Sequence, residues 1–119
     1  MVEYQLDVKV TGSKVTFGLQ VANRGTRPHR CSFTSSQEYD FVVELQGVEI
    51  WRWSADKGFA MLMHEKTLRC NQPGPAYRVS WDQRDGKGVP VKPAIYKVKA
   101  YFLGMDRRQP VAEKDFAIQ

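Results

Sequence analysis

Tyr4-Gln5-Leu6-Asp7-Val8-Lys9-Val10, a break at Thr11-Gly12-Ser13, and Val15-Thr16-Phe17-Gly18-Leu19-Gln20-Val21 together decide the fold class. Apolar residues fall at every second position on both sides of the break, the period of a strand with one buried face. Two such runs about a glycine-containing break read as a β-hairpin. Outward from it, Asn23-Arg24-Gly25-Thr26-Arg27-Pro28 ends the second run, because Asn and Gly accept positive φ and Pro cannot donate to a ladder.

The alternation recurs downstream. Tyr39, Phe41, Val43 and Leu45 share one face of a third run, Gln46-Gly47 turns the chain, and Val48 to Trp53 returns as a strand. Tyr77, Val79 and Trp81, then Tyr96, Val98, Ala100 and Phe102, repeat the pattern, and a weaker closing strand is expected over residues 111–118. Only residues 55–68 change period. Phe59, Leu62 and Met63 stand at i, i+3 and i+4, which predicts one or two helical turns bridging the sheets. About eight short strands without a long helix predict an all-β, immunoglobulin-like antiparallel sandwich.

Length and composition fit that reading. A chain of 119 residues, 42% hydrophobic and 26% charged, supports one core and so a single domain over residues 1–119. It carries too much apolar surface for intrinsic disorder. The longest strongly apolar stretch, Phe59-Ala60-Met61-Leu62-Met63, falls far short of the roughly 18 residues of a membrane span, so no membrane partner is expected. Met1-Val2-Glu3-Tyr4 leads straight into alternating sequence; no secretory leader is expected, and the cytoplasm is the default compartment.

The net charge of +5 invites a nucleic-acid reading. The basic residues are scattered, however, and their densest cluster, Arg24, Arg27, His29 and Arg30, lies in a Gly/Pro-punctuated turn without interleaved stacking aromatics. No nucleic-acid partner is expected. Cys31 and Cys70 read as free thiols in a reducing compartment, and neither stands at zinc-finger spacing from His29 or His64. Asp82-x-x-Asp85-x-x-Gly88 lacks the further acidic ligands of a calcium loop and reads as turn capping. No metal or other cofactor is expected.

Catalytic patterns are missing as well. There is no Gly-x-Ser-x-Gly elbow, no His-Glu-x-x-His and no phosphate-cradling loop. His64-Glu65 reads as a solvated turn, and Glu38 with Asp40 as a polar outer strand face. Trp53 and Trp81 are expected to be buried. The chain reads as a non-enzyme.

Four motifs carry a resemblance. Asn23-Arg24-Gly25-Thr26-Arg27-Pro28, Ser35-Ser36-Gln37-Glu38-Tyr39-Asp40-Phe41, Trp51-Arg52-Trp53-Ser54 and Trp81-Asp82-Gln83-Arg84-Asp85 resemble, in order, those of the BsuPI-type intracellular proteinase inhibitors. The likeness runs over roughly residues 15–103 and departs at the turns Asn71-Gln72-Pro73-Gly74-Pro75 and Pro93-Ala94-Ile95-Tyr96. It implies an immunoglobulin-like sandwich that inhibits a cytoplasmic serine protease of the subtilisin class. The pattern Trp81-Asp82-x-x-Asp85-x-x-Gly88 is also similar to one in the immunoglobulin-like domain of flagellar hook-capping proteins, which are not inhibitors. An interaction or assembly module without a protease target therefore stands as the alternative.

For an inhibitor, the contact is expected on Phe59, Ala60, Met61, Leu62 and Met63. This apolar segment lacks a strand period, and unbranched methionines refit a pocket at small cost. Phe59, which matches a family position, is expected to plug the sandwich end, leaving Met61 and Met63 as the contacts. The rival is the polar, glycine-rich loop from Arg84 to Pro90.

Overall fold

The hairpin of alternating residues forms as its pattern requires. The computed structural model describes residues 1–105 and 108–119. In it β1 (Val2–Thr11) pairs antiparallel with β2 (Lys14–Asn23), with Leu6 opposite Leu19 and Val8 opposite Phe17. Gly12 supplies the positive φ (57°) that a two-residue hairpin turn needs. The next elements are β3 (His29–Phe33), β4 (Tyr39–Leu45) and β5 (Val48–Arg52), then a single 3₁₀ turn at Trp53–Asp56. β6 (His64–Leu68), β7 (Pro73–Trp81), β8 (Ala94–Phe102) and β9 (Ala112–Ile118) complete the chain.

These strands make three antiparallel sheets, ordered β1-β2-β7, β3-β6 and β5-β4-β8-β9. The first and last face each other across one core. Phe17 of β2 sits at its centre, 5.9 Å from Phe41, 5.5 Å from Phe116 and 6.4 Å from Trp81 between ring centroids. Burying such side chains is the main stabilising term of a sandwich. The architecture is the all-β sandwich expected.

Four expectations change. The described residues hold nine strands, since β3 and β6 escape the sequence pattern. The helical turns expected within residues 55–68 do not form: the 3₁₀ turn precedes most of that stretch and β6 ends it. Trp81 is 1% exposed, but Trp53 is only partly buried, because it stands at the sandwich edge where β5 gives way to the 3₁₀ turn. Asp40 is 5% exposed and Val42 1%, so the second face of β4 is covered rather than solvated. Arg52 of β5 and Lys99 of β8 lie opposite Val42, and their side chains pair with Asp40 and Glu44 of β4 on either side of it. The start of β7 runs close against β2: a Cβ on Gly74 would lie 2.1 Å from the Val21 carbonyl oxygen. Ala94, at one of the two turns where the likeness departs, lies in β8 opposite Ile118 and outside the positive-φ region.

Candidate functional site

Residues 57–63 cross from the 3₁₀ turn to β6 without forming a helix or strand. Phe59 is half-buried, its ring 5.9 Å from Trp53. Lys57 places its ammonium 5.2 Å from the centre of the same indole, a cation–π contact. Beyond them Met61, Leu62 and Met63 are 92%, 62% and 76% exposed. Three adjacent apolar side chains in water are unfavourable for the isolated domain and characteristic of a surface that a partner covers.

The segment is nevertheless fixed. Ser36 grips Ala60 twice: its backbone N–H donates to the Ala60 carbonyl (2.9 Å), and its Oγ accepts from the Ala60 N–H (2.9 Å). Upstream, the Asp40 carboxylate accepts from the Ser54 N–H (3.1 Å), from the Ser54 hydroxyl and from Arg52 (3.2 Å). The 3₁₀ turn is thereby locked to β4. Downstream, Glu38 accepts from Tyr77 (2.7 Å), pairs with Lys66 (2.8 Å) and meets His64 Nε2 at 2.7 Å. These bonds fasten the start of β6 to the same run of chain. His64 also stacks on Phe33 at 4.7 Å.

The electrostatics follow from that packing. Burial alone would raise the Glu38 carboxyl, but the hydrogen bonds from Lys66, Tyr77 and His64 outweigh it and hold the group below its usual range. Tyr77 is pushed far up by burial and by the Glu38 carboxylate it donates to, so it remains a protonated donor. Burial also raises the Cys31 thiol, which makes a poor nucleophile. Cys31 and Cys70 are both free. Among the described residues no group of three His, Cys, Asp or Glu side chains is placed to hold a metal ion.

Beneath the segment runs an aromatic file. Trp53 stacks on Tyr39 at 4.6 Å, Tyr39 on Tyr77 at 4.4 Å, and Tyr77 meets Phe102 at 6.2 Å. The exposed methionines are thus tied to the core through Phe59 and Trp53. Sequence reasoning gave Ser36 and Ser54 no role, and it read Glu38, Asp40 and His64 otherwise than the structure places them. Glu38 and Asp40 form no polar outer face, and His64 lies in a strand rather than a solvated turn. Their signal was present in Ser36-x-Glu38-x-Asp40, polar residues at alternate positions directly before the buried Phe41.

The polar loop from Arg84 to Pro90 lies outside this arrangement and is closed mainly on itself, with the Gly86 N–H donating to the Ile50 carbonyl (2.8 Å). Asp85 Oδ1 accepts from the N–H groups of Lys87 (2.9 Å) and Val89 (3.0 Å), while Trp81 Nε1 donates to the Arg84 carbonyl (2.8 Å).

The BsuPI family, described as intracellular proteinase inhibitors, matches residues 2–107. The chain belongs to this family. The BsuPI match takes in the exposed segment together with Ser36, Glu38 and Asp40, which hold it, and stops short of β9, whose Phe116 completes the core. The family is one of inhibitors, not of enzymes. No curated protein matches the chain. Among solved structures, the beta-glucosidase of Kluyveromyces marxianus in complex with glucose is similar at a TM-score of 0.55 and 14% identity, over 100% of this chain and 14% of that one. Beta-glucosidase 3B of Thermotoga neapolitana in complex with glycerol is similar at a TM-score of 0.50 and 15% identity, over 100% of this chain and 16% of that one. The chain spans only that fraction of either enzyme, and likeness at such identity shows the fold alone. No helix among the described residues is long and apolar enough to cross a membrane.

Proposed function

We propose that this BsuPI domain inhibits a subtilisin-type serine protease of the cytoplasm by seating residues 57–63 in the protease's substrate cleft. One observation carries the reading: Ala60 is gripped through both of its peptide groups while Met61, Leu62 and Met63 beside it stand in water. A cleft that binds an extended peptide pairs with its backbone as with an added strand and takes alternate side chains into pockets. A segment already held in place loses less conformational freedom on docking, so more of the contact free energy appears as affinity. Met61 and Met63 are the residues assigned to the pockets, and Phe59 roots the segment on Trp53.

The test is paired. Met61→Asp and Met63→Asp are compared with Lys87→Asp on the rival loop, each with its thermal midpoint checked against the parent. Carrying a carboxylate into an apolar pocket should weaken inhibition of a purified subtilisin-type protease by roughly a hundredfold or more. Lys87→Asp should inhibit as the parent does. Parent-like inhibition by both methionine variants overturns the assignment, and loss in Lys87→Asp alone moves the contact to the 84–90 loop. Failure of the parent to inhibit such a protease overturns the target class.

A further inference from the structure

We propose that Ser36, Glu38 and Asp40 are positioning residues that decide whether residues 57–63 block a protease or are consumed by it. The inference rests on the inhibitory reading of that segment and adds what makes it inhibit. An exposed apolar peptide in a protease cleft is, by default, a substrate. The distinction lies in what happens to the two ends when the chain is cut.

Consider cleavage of any peptide bond between Met61 and His64. The protease serine oxygen adds to the carbonyl carbon and the C–N bond breaks. The serine proton passes through the protease histidine to the departing amine, leaving an acyl-enzyme ester. Normally the amine fragment diffuses away and water hydrolyses the ester to a carboxylate, freeing the serine. Here the acyl side is held by Ser36 at Ala60 and by Asp40 at Ser54. The amine side is held by Glu38 through His64 and Lys66. All three anchors lie at alternate positions on one five-residue stretch, 36–40, so both new ends stay on one platform. The amine stays beside the ester at high effective concentration, and its attack reforms the peptide bond and returns the proton to serine. Water loses that competition while the anchors hold.

The platform also serves the uncut state. Ala60 keeps its N–H and C=O on Ser36, so the chain enters the cleft from one fixed point. Among the described residues, the neighbouring Met61 and Met63 peptide groups make no such bonds and remain open to pairing.

The experiment uses the full chain with a purified subtilisin-type protease and follows inhibition over time alongside the chain's mass. Glu38→Ala should inhibit at first and then fail, as cleavage between residues 60 and 64 proceeds at least about tenfold faster than in the parent. Glu38→Gln, whose amide oxygen still accepts from Tyr77 and Lys66, should restore most of the lifetime. Ser36 is exposed and its truncation leaves the core intact, so Ser36→Ala serves if Glu38→Ala does not fold. It should speed both cleavage and, without protease, amide exchange at Ala60. A merely structural role would lower the thermal midpoint without shortening the inhibited state. Parent-like lifetimes in Ser36→Ala and Glu38→Ala, with Met61→Asp inactive, overturn the positioning role and leave the contact assignment standing. Parent-like inhibition by Met61→Asp with Met63→Asp overturns both.

Discussion

Two exposed loops, residues 57–63 and 84–90, are ordered in opposite ways. Residues 84–90 are ordered mainly from within: Asp85 caps Lys87 and Val89 through its carboxylate and pairs with Val89 and Gly88 through its backbone, Gly88 takes a φ of 83°, and one outside bond runs from the Gly86 N–H to the Ile50 carbonyl (2.8 Å). Most of its main-chain N–H groups are already committed, to Asp85, to Val89 or to the strand beside it. Residues 57–63 are ordered from without, by side chains of the run entering β4 and by an indole beneath. A loop that satisfies itself offers a partner little backbone, whereas a loop held at its root and ends keeps its middle free. Local polarity thus builds a closed turn, and remote anchoring builds a presenting one.

Each loop rests on a tryptophan, and replacing them gives the largest effect that can separate the two. Trp81 is fully buried and ties the closed loop to the core through its bond to Arg84. Trp81→Ala should cost about 3–5 kcal/mol, read from denaturant midpoints. Trp53 is partly buried beneath the presenting loop, so Trp53→Ala should cost clearly less while weakening inhibition in protein that is still folded. Equal stability losses, or unchanged inhibition in Trp53→Ala, would erase the contrast between the loops.

The next effect is smaller and confined to the closed loop. Asp85→Ala removes the acceptor of two N–H groups and should cost about 1–2 kcal/mol. Inhibition should stay at the parent's level when measured well below the unfolding midpoint. A folded Asp85→Ala protein that no longer inhibits would mean the closed loop also reaches the protease.

The same contrast governs what could be read from the sequence. β1, β2 and β8 were legible because a strand with one wetter face writes its period directly, as Leu6 opposite Leu19 attests, whereas β4 showed its period through Tyr39, Phe41, Val43 and Leu45 although both of its faces are covered. The capping role of Asp82 and Asp85 was legible too, since an Asx turn needs only residues two apart, as in the Arg84 N–H bond to Asp82. β6 was not, because in His64–Leu68 only Leu68 is fully buried and the other positions carry no period. The i, i+3, i+4 spacing of Phe59, Leu62 and Met63 suggested a helix face, but Phe59 turns to Trp53 while the other two face water. The exposed segment could be singled out from its composition. Its anchors could not, because Glu38 bonds residues 26, 28 and 39 positions away, and only the fold brings them together.

The smallest effect concerns the Glu38 anchor and is read by pH. Its carboxyl is held below the usual glutamate range in the folded protein, the bonds from Lys66, Tyr77 and His64 outweighing the cost of burial. A group whose folded pKa is depressed contributes stability that is fully present above its unfolded value, about 4.3, and lost as pH falls through the folded value. Glu38→Gln keeps the size and most hydrogen bonds of the side chain but lacks this proton-linked part. The parent should therefore melt above Glu38→Gln at about pH 5, and the gap should narrow by about pH 3 as the carboxylate is neutralised. Thermal midpoints across that range measure it directly. Because Asp85 takes part in none of these bonds, Asp85→Ala should not change the slope attributable to Glu38. A gap that stays constant to pH 3 would mean that Glu38 holds the presenting loop by shape and neutral hydrogen bonds alone, with its charge contributing nothing.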